Sequence, residues 1–265
     1  MNRPMSATIS QFRALVTALA LLLSANASHA VLLDWANLPG AQTWANGSLN
    51  NSYNLDGVAG NDIQIAVVST GITFANSGGP YPQNIADPAI NSGTQGLQLW
   101  STAGFTNTTN NITVTITFLG TYATGTTASL TLFDVDASSA FIDRVSITAL
   151  NGATPVALTA TNIGATASNT IAGSGTTNPV ITGTVAVGNI SDNRGNVTLS
   201  TGAAHVTSIT FVWNNPGPNF GSQAIDLGNI TFTPEVGSGS AALLLCGGLL
   251  AFGRRRQFAG RRAAA

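Results

Sequence analysis

Residues 112–118 read Ile112-Thr113-Val114-Thr115-Ile116-Thr117-Phe118. Apolar side chains at every second position, with threonines between them, follow the two-residue period of a β-strand that buries one face and wets the other. β-Branched residues fill most of the run, and they suit a pleated surface better than a helix. The same signal recurs at 62–68, 97–100, 129–135, 144–149, 179–187, 196–200, 206–213 and 224–232. Turn chemistry separates these runs at Asn46-Gly47, Asp56-Gly57, Asn151-Gly152 and Arg194-Gly195-Asn196. No amphipathic helical period intervenes. About ten strands at this spacing predict an all-β chain folded as one jelly-roll-like antiparallel β-sandwich.

The 265 residues carry nine basic and ten acidic side chains, only 7% charged, and no lysine. The charges are segregated. Arg3 and Arg13 lie near the start, and Arg254, Arg255, Arg256, Arg261 and Arg262 near the end. Between residues 31 and 235 stand all ten acids and only Arg144 and Arg194, so this stretch carries 2 − 10 = −8. So acidic a segment offers no electrostatic footprint for nucleic acid.

Both ends read as addresses. Two arginines, the apolar run 14–23 and the small residues Ser28-His29-Ala30 predict a signal helix over residues 1–30, cleaved after Ala30. At the other end Pro234-Glu235 precedes a small, Gly/Ser-rich segment, a hydrophobic stretch to Gly253, and Arg254-Arg255-Arg256. Cations that close a hydrophobic helix stay cytoplasmic, which places the central region outside the cell. The organisation expected is therefore a signal peptide (1–30), a sandwich domain (31–233), a tail with a hydrophobic membrane helix (234–256) and a disordered extension (257–265). Cys246, the only cysteine, lies in the tail, so the central domain has no disulfide available.

This tail resembles the PEP-CTERM sorting signal of bacterial surface proteins, with Val236 standing where the second proline is usual. The resemblance implies processing by an exosortase, passage through a transient membrane anchor, and delivery to the cell surface or extracellular matrix. Pro234 and Glu235 would be the sorting motif, and Arg254, Arg255 and Arg256 the membrane stop. The stretches 130–136, 143–145, 209–211 and 224–232 also resemble a β-sandwich region common in surface proteins with such tails.

Chemistry concentrates in Asp134-Val135-Asp136 and Asp143-Arg144. On a continuous strand, residues i and i+2 share a face roughly 7 Å apart. Asp134 and Asp136, joined by Asp143 from the returning loop, could then hold Ca²⁺. The structural alternative is a turn in which Asp136 or Asp143 pairs with Arg144. Asp56 to Asp62 and Asp192 to Asn196 read as turns, the second as a hairpin turn, and Asp226 as a buried acid near Arg144. His205 is the only histidine left after signal removal, and no Gly-x-Ser-x-Gly elbow is present, so the chain is not read as an enzyme. Trp35, Trp44, Trp100 and Trp213, with Tyr53, Tyr81 and Tyr122, could stack on sugars. Trp213 extends the row of Ile209 and Phe211 and reads as core. The expected function is a structural or adhesive surface protein. A calcium-dependent carbohydrate-binding module for extracellular polysaccharide is the alternative, and a secreted polysaccharide hydrolase the third reading.

Overall fold

Ile112, Val114, Ile116 and Phe118 are all buried in one strand, and Thr113, Thr115 and Thr117 face outward between them. This computed structural model describes residues 29–235 apart from 77, 88–89, 91–92, 102–104, 106–108, 165, 188–192 and 220. The chain divides into two units: Ala30–Glu235, and Met1–His29 together with Val236–Ala265. The signal helix, the hydrophobic tail helix and Arg254, Arg255 and Arg256 lie outside the described residues.

Numbered along the chain, fifteen strands among the described residues form two antiparallel sheets. The first runs β10 (Thr159–Asn162), β13 (Val197–Ser200), β7 (Thr126–Phe133), β15 (Gln223–Pro234), β5 (Gln95–Ser101) and β4 (Gln83–Ala86), with β1 (Val31–Leu33) also on β15. The second runs β11 (Asn169–Ala172), β12 (Val180–Gly183), β8 (Arg144–Asn151), β14 (Ser208–Asn214), β6 (Asn111–Phe118), β3 (Ile63–Thr70) and β2 (Asn50–Tyr53), with β9 (Thr154–Val156) on β8. The only helical elements among the described residues are two short 3₁₀ turns, Pro39–Ala41 and Gly120–Tyr122. The chain is an all-β sandwich.

The inward rows of both sheets meet in one core. Leu97, Leu99, Leu130, Leu132, Ile225 and Leu227 come from the first sheet, and Val114, Ile116, Ile147 and Phe211 from the second. Phe118 and Phe232 join the layers with ring centroids 5.2 Å apart. Each such burial contributes about 1.5–3 kcal/mol, which lets the domain cohere without a disulfide. The outward faces are rich in threonine; Thr115 and Thr210 hydroxyls sit 3.3 Å apart across β6 and β14.

Several boundaries differ from the sequence reading. The strand expected over 129–135 ends at Phe133, because Asp134 adopts a left-handed conformation (φ 62°). The one expected over 179–187 keeps only β12, and the missing edge strands are three or four residues long, too short to show a period. Asn196 N–H donates to the Asn193 carbonyl in a turn, but this turn leads from β12 to β13, which lie in different sheets. It is a crossing and not a hairpin. β15 runs through Pro234, one residue past the boundary expected for the sandwich.

Candidate functional site

Because the chain turns at Asp134, Asp134 and Asp136 do not continue one strand face. Val135, fully buried, enters the core instead, and its amide donates to the Gly195 carbonyl at 3.0 Å. Asp136 and Asp143 are then brought face to face by a two-way link: Asp143 N–H donates to the Asp136 carbonyl at 2.9 Å, and Asp136 N–H donates to Asp143 Oδ2 at 3.3 Å. Trp213 Nε1–H donates to Asp143 Oδ1 at 2.8 Å from β14. The Val187 amide donates to Asp136 Oδ2 at 2.6 Å. Gly183 closes the packing, since a Cβ there would lie 1.8 Å from the Asp136 carbonyl oxygen.

Asp143 is wholly buried, and that burial raises its pKa well above the usual carboxylate value. The neighbouring charges of Asp136 and Asp134 push the same way, while the Trp213 indole opposes them. Of the three aspartates expected from sequence, Asp136 and Asp143 therefore meet, while Asp134 acts on Asp143 only through its charge. What they build is a buried polar hub that fastens the β7–β8 connection to β14. Among the described residues, no group of three or more His, Cys, Asp or Glu side chains could hold a metal ion. A cation at Asp136 and Asp143 would compete with the N–H donors that already occupy both oxygens of Asp143 and Oδ2 of Asp136. Arg144 points the other way, exposed on β8, so the expected pairing with Asp143 is replaced by the indole. Asp226, also fully buried, lies in β15 opposite Gln98 and Phe133, in a different sheet from Arg144.

The second acidic stretch is a turn. Asp62 Oδ2 accepts the amides of Leu55 (2.6 Å) and Asp56 (3.1 Å), and Asp56 Oδ1 accepts that of Val58 (2.8 Å). Tyr122 donates to Asp56 Oδ2 at 3.4 Å, and burial together with Asp56 and Asp62 pushes its phenol up to about 12. Asp192 lies outside the described residues.

Most of the aromatic side chains are spent on the core. Trp213 is fully buried against Phe105, with ring centroids 4.9 Å apart. Trp35 packs edge-on against Trp44 and Tyr53 at 6.2 and 6.1 Å. Trp100 is half-buried, edge-on to Tyr81 at 5.1 Å, and donates to Ser222. At the end of the sandwich Glu235 is exposed, while its amide donates to the Gly125 carbonyl at 2.9 Å.

An open cleft of about 550 Å³ lies between the loop after β1 and the β4–β5 pair, within the size range of small-molecule sites. Trp35, Asn37, Gln42, Thr43, Asn84 and Gln95 line it, and no ionisable side chain does. Sequence reading missed Asn84 and Gln95. They sit in or beside short edge strands, and residues about fifty positions away complete the cleft.

No protein-family model matches the chain, and no curated protein matches it. Solved structures similar to it include a family 11 carbohydrate-binding module from Clostridium thermocellum in complex with a β-1,3-1,4-mixed-linked tetrasaccharide, at 10% identity and a TM-score of 0.28 over 77% of this chain and 94% of that one. The K1 cleaved adhesin domain of Lys-gingipain from Porphyromonas gingivalis W83 is similar at 13% identity and a TM-score of 0.28, over 78% and 99%. The mannan-recognising carbohydrate-binding module TmCBM27 is similar at 11% identity and a TM-score of 0.27, over 64% and 98%. At such TM-scores the question of ligand rests on this chain's own residues.

Proposed function

We propose that this chain is an exported, surface-sorted protein of the PEP-CTERM type, whose jelly-roll-like sandwich serves a structural or adhesive role at the cell surface or in an extracellular matrix. The observation that carries the reading is the match between the address segments and the folded unit. The unit begins at Ala30, where the signal peptide would be cut, and ends at Glu235, within the Pro234-Glu235 motif. The sandwich is thus complete without either address, as a module released from both requires. The net charge of −8 over residues 31–235 keeps such a module soluble and away from anionic envelope polymers. Its function in this reading is binding or scaffolding without catalysis, with extracellular polysaccharide as the partner.

The test is intact mass and surface labelling of the protein made in a bacterium that encodes an exosortase, with an epitope placed at the exposed Asn151-Gly152 turn. Wild type is expected on the surface, with a mass lacking residues 1–30 and the hydrophobic tail. Replacing Arg254, Arg255 and Arg256 by Ala is expected to abolish tail processing. A full-length mass for the surface protein would overturn the sorting reading.

A further inference from the structure

We propose that the cleft between the post-β1 loop and the edge of the first sheet binds a neutral polyhydroxylated ligand, a stretch of uncharged polysaccharide. This rests on the reading of the module as an adhesin and names the surface that would do the adhering.

The chemistry of the lining selects the ligand class. Four carboxamides, Asn37, Gln42, Asn84 and Gln95, surround the cleft together with Thr43, and no charged group lines it. Carboxamides offer a donor and an acceptor side by side, which matches sugar hydroxyls that are both at once. An ionic ligand would find no counter-charge there.

The four are not equivalent. Gln42 is fully engaged: its Nε2 donates to the Pro39 and Asn54 carbonyls at 2.8 and 2.7 Å, and its Oε1 accepts the Asn54 amide at 2.9 Å. It holds the loop. Asn37 is tied through Nδ2 to Asp34 at 2.8 Å. Asn84 differs from both. It stands on β4 opposite Leu97, on the side of the sheet that elsewhere carries core residues. Its Nδ2 donates to the Trp35 carbonyl at 2.8 Å, while its Oδ1 is buried and accepts from no donor. A buried acceptor without a donor is costly to keep. A ligand hydroxyl that meets Asn84 Oδ1 once the amide turns toward the cleft it lines removes that cost. Gln95, exposed at the start of β5, stands beside it with a free-standing amide to bond a neighbouring hydroxyl.

The experiment uses purified residues 30–235, the self-contained unit, titrated by calorimetry with cellohexaose, laminarihexaose and mannohexaose. Hexagalacturonate serves as the charged control. Binding of at least one neutral hexasaccharide and none of the charged one is expected. Asn84→Ala and Gln95→Ala should each weaken it about fivefold, the worth of one neutral hydrogen bond. Gln95→Ala removes an exposed side chain, so its effect is read on a folded protein even if Asn84→Ala lowers the melting temperature. Absence of binding to every neutral sugar at millimolar concentration overturns the assignment, as does binding that ignores both variants. A protein that reaches the surface but ignores these sugars loses only the cleft. One that binds them but is never delivered loses only the sorting route.

Discussion

Asp143 carries the sharpest chemistry at the scale of single residues. It is a carboxyl with no exposure, held by an indole N–H and a backbone amide and faced by Asp136 and Asp134. Its folded-state pKa is raised well above 3.8, first by burial and then by Asp136. The folded state therefore holds this proton more tightly than the unfolded chain does. The stability that follows is complete below the unfolded pKa and is lost as pH rises through the folded one. Urea denaturation across that window should show stability falling with rising pH in wild type, and a flatter profile in Asp143→Asn. The amide keeps one acceptor for Trp213 and sacrifices the longer bond from Asp136, a cost of about 1 kcal/mol at low pH. Excess calcium should leave the wild-type melting temperature unchanged, because N–H donors already take both oxygens of Asp143 and Oδ2 of Asp136. A rise of several degrees with calcium would show that a cation displaces them.

At the scale of elements, β15 organises the first sheet, and its irregularity matters as much as its regularity. The register shifts between Leu227 and Ile230. Here the Gly228 carbonyl accepts Trp35 Nε1–H at 3.0 Å, and Asn229 Oδ1 accepts the Trp35 amide at 3.0 Å. The irregularity thus anchors the residue that follows β1 and lines the cleft. A Cβ at Gly228 would lie 2.5 Å from the Phe133 ring, so a larger residue here must displace that ring. Gly228→Ala should destabilise the domain by about 1–3 kcal/mol through overpacking. Asn229→Ala should cost about 1 kcal/mol through its lost hydrogen bond. Both are measurable as urea midpoints at constant m-value. The alternation that marks β6 and β14 is legible in sequence because each face meets one environment. β4 is not, since four residues at a sheet edge mix buried, half-buried and exposed positions.

For the whole molecule, the two ends of the module come together. β1 pairs with β15 in the register Val31 to Phe232 and Leu33 to Ile230, so the chain enters the sandwich beside the place where it leaves. Cleavage after Ala30 preserves this pairing, and loss of three more residues destroys it. Residues 30–235 should unfold in one cooperative transition. A chain beginning at Asp34 should be less stable by about 3–6 kcal/mol, having lost two buried aliphatic side chains. Since single domains hold only about 5–15 kcal/mol, that deletion approaches unfolding. Circular dichroism of the two proteins in urea compares them directly. Equal midpoints would show that β1 adds nothing to the fold.

The sequence by itself determined the fold class, most of the long strands and the burial of Trp213. Strand alternation is a local property, set by which side chains face water within a few residues. It also marked Asp134, Asp136 and Asp143 as a group, since they lie close along the chain. Tertiary structure alone decided what the group is. The Trp213 indole that occupies Asp143 comes from 70 residues away, and the left-handed turn at Asp134 ends the strand on which a shared face had been expected. The cleft was equally hidden, because Trp35 is pinned by a carbonyl 193 positions along the chain and Asn84 reaches it from a separate strand. Such sites depend on which distant elements become neighbours, and sheet order is set by the packing of all the inward rows together.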